Sequence, residues 1–291
     1  MRFAKGHGTG NDFLILPDPD DRLTLPPELV RQLCDRRTGL GADGLLRIVR
    51  CAVACPELAA APAAPRWFMD YRNADGSIAE MCGNGIRVFA RYLLDHDLAA
   101  GPRIAVATRA GIKQVQLAAG GEFTVDMGAV EILGPGSALV GGQACEGLAI
   151  SVGNPHLACL VDDPVASFDL SRPPVLDQRQ FPGGANVEVV RLRGDGELEM
   201  RVHERGSGVT LSCGTGAVAA AAAAAAVTAG AGTGHAADGK AGNGYSGLAG
   251  IWQVHVPGGR LAVTLGETTS LLTGPAVIVA EGELTEDWRP R

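Results

Sequence analysis

The chain has 291 residues and a net charge of −7, with 46% hydrophobic, 20% charged and 4% aromatic residues. That length suits one large domain or two ordinary ones, and the apolar share is enough for a core without staples. The acidic balance, with no basic run to track a phosphate backbone, argues against nucleic acid as a partner, and seven cysteines at irregular spacing argue against a secreted disulfide framework.

The opening stretch Met1-Arg2-Phe3-Ala4-Lys5-Gly6-His7-Gly8 has no apolar h-region, so no signal peptide is expected there. Along the chain, Phe13–Leu16 reads as the first strand. Pro26–Cys34 reads as a helix, since Pro26-Pro27-Glu28 puts proline and acid at its start. Cys51–Pro65, rich in Ala and Pro, reads as a loop. Gly85–His96 reads as a second helix. Short β-branched runs bounded by turn residues follow as strands at Ile104–Ala107, Leu148–Val152, Asn186–Leu192 and Glu199–Val202. Thr215–Val227 reads as a third helix; it is apolar but too short to span a bilayer, so no membrane role is expected. Thr228–Gly250, rich in Gly and Ala, reads as a second loop, and Ala276–Ala280 as a last strand. The expectation is a cytoplasmic, strand-rich α+β protein with a few central helices and free thiols.

The two halves echo each other. Gly8-Thr9-Gly10-Asn11-Asp12 precedes Cys82-Gly83-Asn84-Gly85, and Val152-Gly153-Asn154-Pro155-His156 precedes Cys213-Gly214-Thr215-Gly216. In each half an Asn in a turn precedes a Cys-Gly-x-Gly at a helix start, which suggests two similar domains that each supply one cysteine to a shared cleft.

A cysteine followed by Gly-x-Gly at a helix start has chemical consequences. The glycines let a ligand approach the backbone, and the unpaired N–H groups and helix dipole favour negative charge there. They can hold a carboxylate and lower a thiol pKa. Two such cysteines make a candidate acid/base pair: inverting a carbon centre needs a base on one face and an acid on the other. His156 and Glu204 are candidate partners for the thiols, and Arg205 can grip a carboxylate in a bidentate fork. Taken singly, Asn11, Asn73, Asn154 and Asn186 read more readily as turn formers and Glu204-Arg205 as a solvated ion pair, and His156 reads equally well as a surface turn residue.

These residues together resemble the diaminopimelate epimerase family. The matching stretches are Lys5 to Phe13, Asp35 to Gly44, Tyr71 to Ser77, Met81 to Arg87, Gly153 to His156, His203 to Gly206 and Ser212 to Gly216. They fall in the family's order and span most of the chain. The resemblance implies a cofactor-independent isomerase that interconverts LL- and meso-2,6-diaminopimelate in lysine and peptidoglycan precursor synthesis. It implies two pseudo-symmetric α+β domains, each a mainly antiparallel sheet wrapped around a central helix. Residues 1–127 with 275–291 would form the domain carrying Cys82, and residues 128–274 the domain carrying Cys213.

Carried over by position, Cys82 and Cys213 are the acid/base thiols. Backbone N–H groups of Gly83, Asn84, Gly214 and Thr215 hold the reacting carboxylate. Asn11, Asn73, Asn154, Asn186 and Arg205 hold the rest of the substrate, Glu204 lies near the reacting ammonium, and His156 and Glu204 support the proton transfers. Many family members carry Gln where this chain has Gly44, so Gly44 is left out of the site. No metal is expected, and a homodimer is compatible with the resemblance although the sequence shows no interface.

The nearest rival is a proline racemase or hydroxyproline epimerase, but a cyclic imino acid has no second amino-acid end for the Asn set and Arg205 to hold. A zinc or redox protein is disfavoured because neither Cys82 nor Cys213 lies in a Cys-x-x-Cys pair.

Overall fold

The computed structural model describes residues 1–60, 64–230, 248–285 and 287–288. Most of the loop expected over Thr228–Gly250, from 231 to 247, and residues 61–63 of the loop expected over Cys51–Pro65 lie outside the described residues. Two compact units divide the chain: Met1–Val125 with Gly274–Arg291, and Asp126–Thr273.

In chain order the elements begin with strands β1 (Arg2–Gly8) and β2 (Asn11–Pro17), helix α1 (Pro27–Cys34), β3 (Gly44–Arg50), short helices α2 (Cys51–Ala54) and α3 (Pro56–Ala59), and β4 (Trp67–Asn73). Helix α4 (Gly83–Asp95) and strands β5 (Arg103–Thr108), β6 (Gly111–Leu117) and β7 (Phe123–Gly128) follow. Then come β8 (Glu131–Val140), β9 (Gln143–Ser151), β10 (Pro155–Leu160), β11 (Val175–Leu176), β12 (Asn186–Gly194), β13 (Glu197–Glu204) and β14 (Gly208–Thr210). Helix α5 (Gly214–Thr228), β15 (Gly250–Val256), β16 (Gly259–Leu265), β17 (Ser270–Gly274) and β18 (Val277–Glu283) complete the set.

In the first unit the strands pair in the order β18, β1, β2, β3, β4, β5, β6, β7. Every junction is antiparallel except β2–β3 and β4–β5, which are parallel. In the second unit the order is β8, β9, β10, β12, β13, β15, β16, β17, again antiparallel except for β10–β12 and β13–β15. The parallel junctions fall at the same two places in both units, so one topology occurs twice, and each unit is a mainly antiparallel sheet with one long helix. The C-terminal strand β18 supplies to the first unit, beside β1, the position that β8 fills in the second.

Each sheet curls around its helix. Helix α4 packs against six strands of its own unit from β1 to β6, and against β18, and buries most of its length from Gly83 to Leu93. Helix α5 packs against β9, β10, β12, β13, β15 and β16. Its residues Ala217 to Ala226 are all buried, so the helix is apolar on every side, as a helix surrounded by sheet must be. Alanine also lets the strands come close, where a larger side chain would push them apart.

The stretch Cys51–Ala59 corrects the sequence expectation of a loop. It forms α2 and α3, and Cys51 and Cys55 are buried with Phe68 and Ala107 in a small cluster. Pro56 opens α3, where its fixed φ fits a first helical turn. The four-residue spacing puts both thiols on one face, and that face supplies the apolar contact. Among the described residues, no helix is long and apolar enough to cross a membrane.

Candidate active site

Within the first unit, β2 begins at Asn11, β3 begins at Gly44, β4 ends at Asn73, and α4 begins just after Cys82. The register sets Phe13 beside Gly44 and Gly44 beside Asn73, so these strand termini share one end of the sheet. Cys82 is the N-cap of α4: its backbone is extended and its sulfur accepts from the Gly85 N–H at 3.4 Å. The cap thereby sets the thiol at the N–H end of α4, as the Cys-Gly-x-Gly pattern implied.

Asn11 is placed from both sides. Its Nδ2 donates to Asp43 Oδ2 at 2.9 Å, while its Oδ1 accepts from Asn84 Nδ2 at 3.2 Å and lies 3.8 Å from the Cys82 sulfur. Asp43 is in turn fixed by Arg36 at 2.7 Å, and Arg36 also makes a two-pronged contact with Asp12 at 2.7 and 3.0 Å. Burial pushes the Asp12 carboxyl up, but hydrogen bonds and charge from Arg36 and Lys5 outweigh it and hold the group below its ordinary value. The Asp35–Gly44 stretch therefore serves the site by holding Asn11.

Asn73 accepts from the Tyr71 hydroxyl at 2.8 Å and donates to Ser77 Oγ at 2.9 Å. A Cβ at Gly44 would meet Tyr71 Cε2 at 2.9 Å and the Arg72 carbonyl at 2.8 Å. The Tyr71 ring thus fills the space a longer residue at 44 would need, and its hydroxyl orients Asn73 instead. Arg87 is fully buried on α4; its Nη2 donates to Asn84 Oδ1 at 2.9 Å and pins the first turn. Burial pulls the Arg87 guanidinium down to about 10.

The second unit repeats the plan. Asn154 precedes β10, Asn186 begins β12, Glu204 ends β13, and Cys213 is the N-cap of α5, its sulfur accepting from the Gly216 N–H at 3.4 Å. The register sets His156 beside Asn186, as it sets Phe13 beside Gly44 in the first unit. Asn186 Oδ1 accepts from the Arg205 N–H at 2.8 Å, and the Arg205 guanidinium reaches the Gly183 carbonyl at 3.1 Å.

Two isolated readings are corrected here. His156 is no surface turn residue: it has 0% exposure, its Nδ1 lies 2.7 Å from Glu188 Oε1 and its Nε2 3.0 Å from Asn154 Oδ1. Strand alternation buries it on the sheet face that packs against α5. Nor is Glu204 a solvated partner of Arg205. It is half-buried and accepts from Thr210 Oγ1 and from the Cys213 thiol, while Arg205 is exposed. Burial pushes the Glu204 carboxyl up, against the pull of those two hydrogen bonds. The Cys213 thiol is pushed well above its ordinary value, first by burial and then by the charges of Glu204 and Glu188, although Thr215 and the Gly216 N–H pull the other way.

The predicted residues thus fall into two groups, each around one N-cap cysteine: Asn11, Asn73, Gly83 and Asn84 with Cys82; Asn154, His156, Asn186, Glu204, Arg205, Gly214 and Thr215 with Cys213. Sequence reasoning missed Glu188, Arg87, Asp43 and Tyr71. Asp43, Tyr71 and Arg87 lie inside the matching stretches but carry no role there; Glu188 lies outside them, and its signal is a carboxylate in an otherwise Val-rich strand run, two residues after Asn186 and so on the same face.

By fold, this chain joins a class of duplicated α+β proteins. It matches a phenazine biosynthesis protein of the PhzF family from Bacillus anthracis, with a TM-score of 0.63 at 17% identity, over 98% of this chain and 99% of that one. It also matches a probable proline racemase from Agrobacterium radiobacter, with a TM-score of 0.64 at 12% identity, over 98% and 93% of the two chains. The sequence goes further: the profile of the diaminopimelate epimerase family matches residues 3–133 and 148–279. A diaminopimelate epimerase from Thermobifida fusca is 56% identical over 287 residues, which covers 98% of each chain. This chain belongs to the diaminopimelate epimerase family, a family of isomerases.

Proposed function

We propose that this member of the family interconverts LL- and meso-2,6-diaminopimelate without a cofactor, with Cys82 and Cys213 acting on opposite faces of the reacting α-carbon. One cysteine, as thiolate, takes the α-proton; the other, as thiol, returns a proton from the far side, and their roles exchange in the reverse reaction. The observation that carries this reading is the repeated N-cap. Each thiol caps the N–H end of a long buried helix and accepts from the N–H of the glycine three residues on. The N–H groups of Gly83, Asn84, Gly214 and Thr215 hold the reacting carboxylate and stabilise the charge that builds on it as the proton leaves.

The remaining groups follow from a substrate with two amino-acid ends. Asn11, Asn73, Asn154, Asn186 and Arg205 hold the rest of the substrate, including the end that does not react, and Glu204 receives the reacting ammonium. Before substrate arrives, Cys213 is held as a neutral thiol by burial and by Glu204. An ammonium beside Glu204 offsets that charge, so substrate binding itself eases ionisation of Cys213. His156 and Glu204 support the proton transfers from the Cys213 side.

The test is deuterium entry at the α-carbon of LL-diaminopimelate in D₂O, with formation of the meso isomer followed in parallel. Exchange with inversion is expected from the intact protein and from neither Cys82→Ala nor Cys213→Ala. Proline and hydroxyproline should stay unlabelled. No exchange from folded, reduced protein would overturn the reading.

A further inference from the structure

Glu188 is a carboxylate with 0% exposure at the heart of the second unit. Its Oε1 lies 2.7 Å from His156 Nδ1, and its Oε2 is buried without a hydrogen-bond partner among the described residues. A Cβ on Gly216, in the first turn of α5, would come within 2.6 Å of Glu188 Oε1. Taking an ionisable pair out of water is costly, and a satisfied apolar pair of similar size often serves stability equally well.

The first unit shows that the fold has no need of this pair. In the repeated topology Phe13 stands where His156 stands, and Leu46 where Glu188 stands: Phe13 pairs with Gly44 and Ile15 with Leu46, as His156 pairs with Asn186 and Ala158 with Glu188. The surroundings match as well. A Cβ on Gly85 would meet Leu46 Cδ2 at 3.2 Å, Cys82 Cβ at 3.3 Å and Phe13 Cε1 at 3.5 Å. One cradle under a cysteine N-cap is therefore filled once by Phe and Leu and once by His and Glu.

We propose that Glu188 is a positioning residue of the Cys213 half-site. Its Oε1 accepts from His156 Nδ1–H and holds the ring plane, so that Nε2 is the nitrogen turned toward Asn154 Oδ1 on the Cys213 side. From Nε2 a chain of contacts fixes the ring relative to the thiol: Asn154 Oδ1 at 3.0 Å, Thr215 Oγ1 at 3.5 Å from Asn154 Nδ2, and the Cys213 sulfur at 3.5 Å from Thr215 Oγ1; the Asn154 amide positions these groups and carries no proton between them. Glu188 touches no substrate in this arrangement and acts only through His156. The inference rests on the reading of His156 as a support for proton transfer.

Three variants and two readouts test it. In Glu188→Gln, kcat should fall about 10- to 100-fold, as expected when a proton-transfer group loses its alignment, with KM within about twofold of the parent. With ¹⁵N-labelled histidine, the His156 signals should show Nδ1–H in the parent and a shift toward Nε2–H in Glu188→Gln. The double variant His156→Phe/Glu188→Leu, which copies the first unit, should keep its melting temperature and lose turnover. His156→Gln separates this inference from the wider reading. If that variant keeps full turnover, the role given to His156 fails, and the ¹⁵N signals still decide whether Glu188 sets the tautomer. Unchanged ¹⁵N signals in Glu188→Gln, or full turnover from the double variant, would overturn the proposal.

Discussion

At the scale of single residues, position relative to a helix start explains most of the site. Cys82 and Cys213 cap α4 and α5, and the glycine three residues later donates to each sulfur at 3.4 Å. Gly216 is tied down further, because an added Cβ would also lie 3.3 Å from the Cys213 sulfur. Alanine favours a helix over glycine by about 1 kcal/mol, yet here it would collide with Glu188 and displace the thiol. Gly216→Ala is therefore expected to lower kcat about tenfold or more while keeping the circular dichroism of the parent. Turnover and spectra measured on the same preparation check this. A second prediction concerns Cys34, a thiol of α1 with 5% exposure. Burial pushes it from 9.0 to about 12, with Asp12 and Asp43 adding to the rise. In the unfolded chain the thiol ionises from about pH 9, whereas in the folded chain it holds its proton to about 12. The stabilisation is thus complete below pH 9 and is lost as pH rises toward 12, at about 1.4 kcal/mol per pH unit for one such thiol. Urea unfolding across that range should show a shallower decline in Cys34→Ala than in the parent.

At the scale of elements, the two central helices solve one packing problem with different residues. Helix α4 carries Arg87, Phe89 and Tyr92 inward, whereas α5 presents alanine on every side. The sheet around α5 must therefore lie close to its backbone, with no slack for a longer side chain. Ala221→Leu, at a position with 0% exposure, should destabilise the second unit by about 1–3 kcal/mol, because interiors are close-packed and extra methylenes force strands apart. A lowered melting temperature checks this; an unchanged one would mean that the helix has free space beside it. The element scale also explains why the composition of Cys51–Ala59 misleads. It suits a loop, but its two cysteines lie one helical turn apart, and Phe68 and Ala107, distant in sequence, supply the surface that orders them.

At the scale of the whole molecule, the chain folds one topology twice and borrows one strand for it. Strand β18 comes from the C-terminal end, yet it pairs with β1 from Arg2–Glu283 to His7–Val277 and continues the first unit's sheet. Without it, β1 would present an open edge, and α4 would lose contacts it makes with β18. The Pro275 carbonyl would also be lost as an acceptor, 3.4 Å from Arg87 Nε. A chain ending at Thr273 should accordingly aggregate or lose the near-ultraviolet dichroism of a packed core. A soluble, fully active truncated protein would show that β18 is dispensable.

Local patterns make much of this architecture legible in the sequence. The strand at Asn11–Pro17 and the helices at Pro27–Cys34, Gly83–Asp95 and Gly214–Thr228 start within two residues of where periodicity, proline and glycine put them. The cysteine N-caps are equally readable, because Cys-Gly-x-Gly is a local instruction: the glycines open the first turn and the cysteine stands before it. Glu188 and Tyr71 are not readable in this way. Glu188 owes its meaning to the parallel pairing of β10 with β12, which brings it to His156 from 32 residues away. Tyr71 owes its meaning to the missing side chain at Gly44, on the neighbouring strand. By itself the sequence determined the starts of the three longer helices, several strand runs and the two cysteine N-caps, since those depend on residues a few positions apart. Only the tertiary structure decided which carboxylate lies against which imidazole and which side chains are buried, because strand pairing brings those groups together across long stretches of chain.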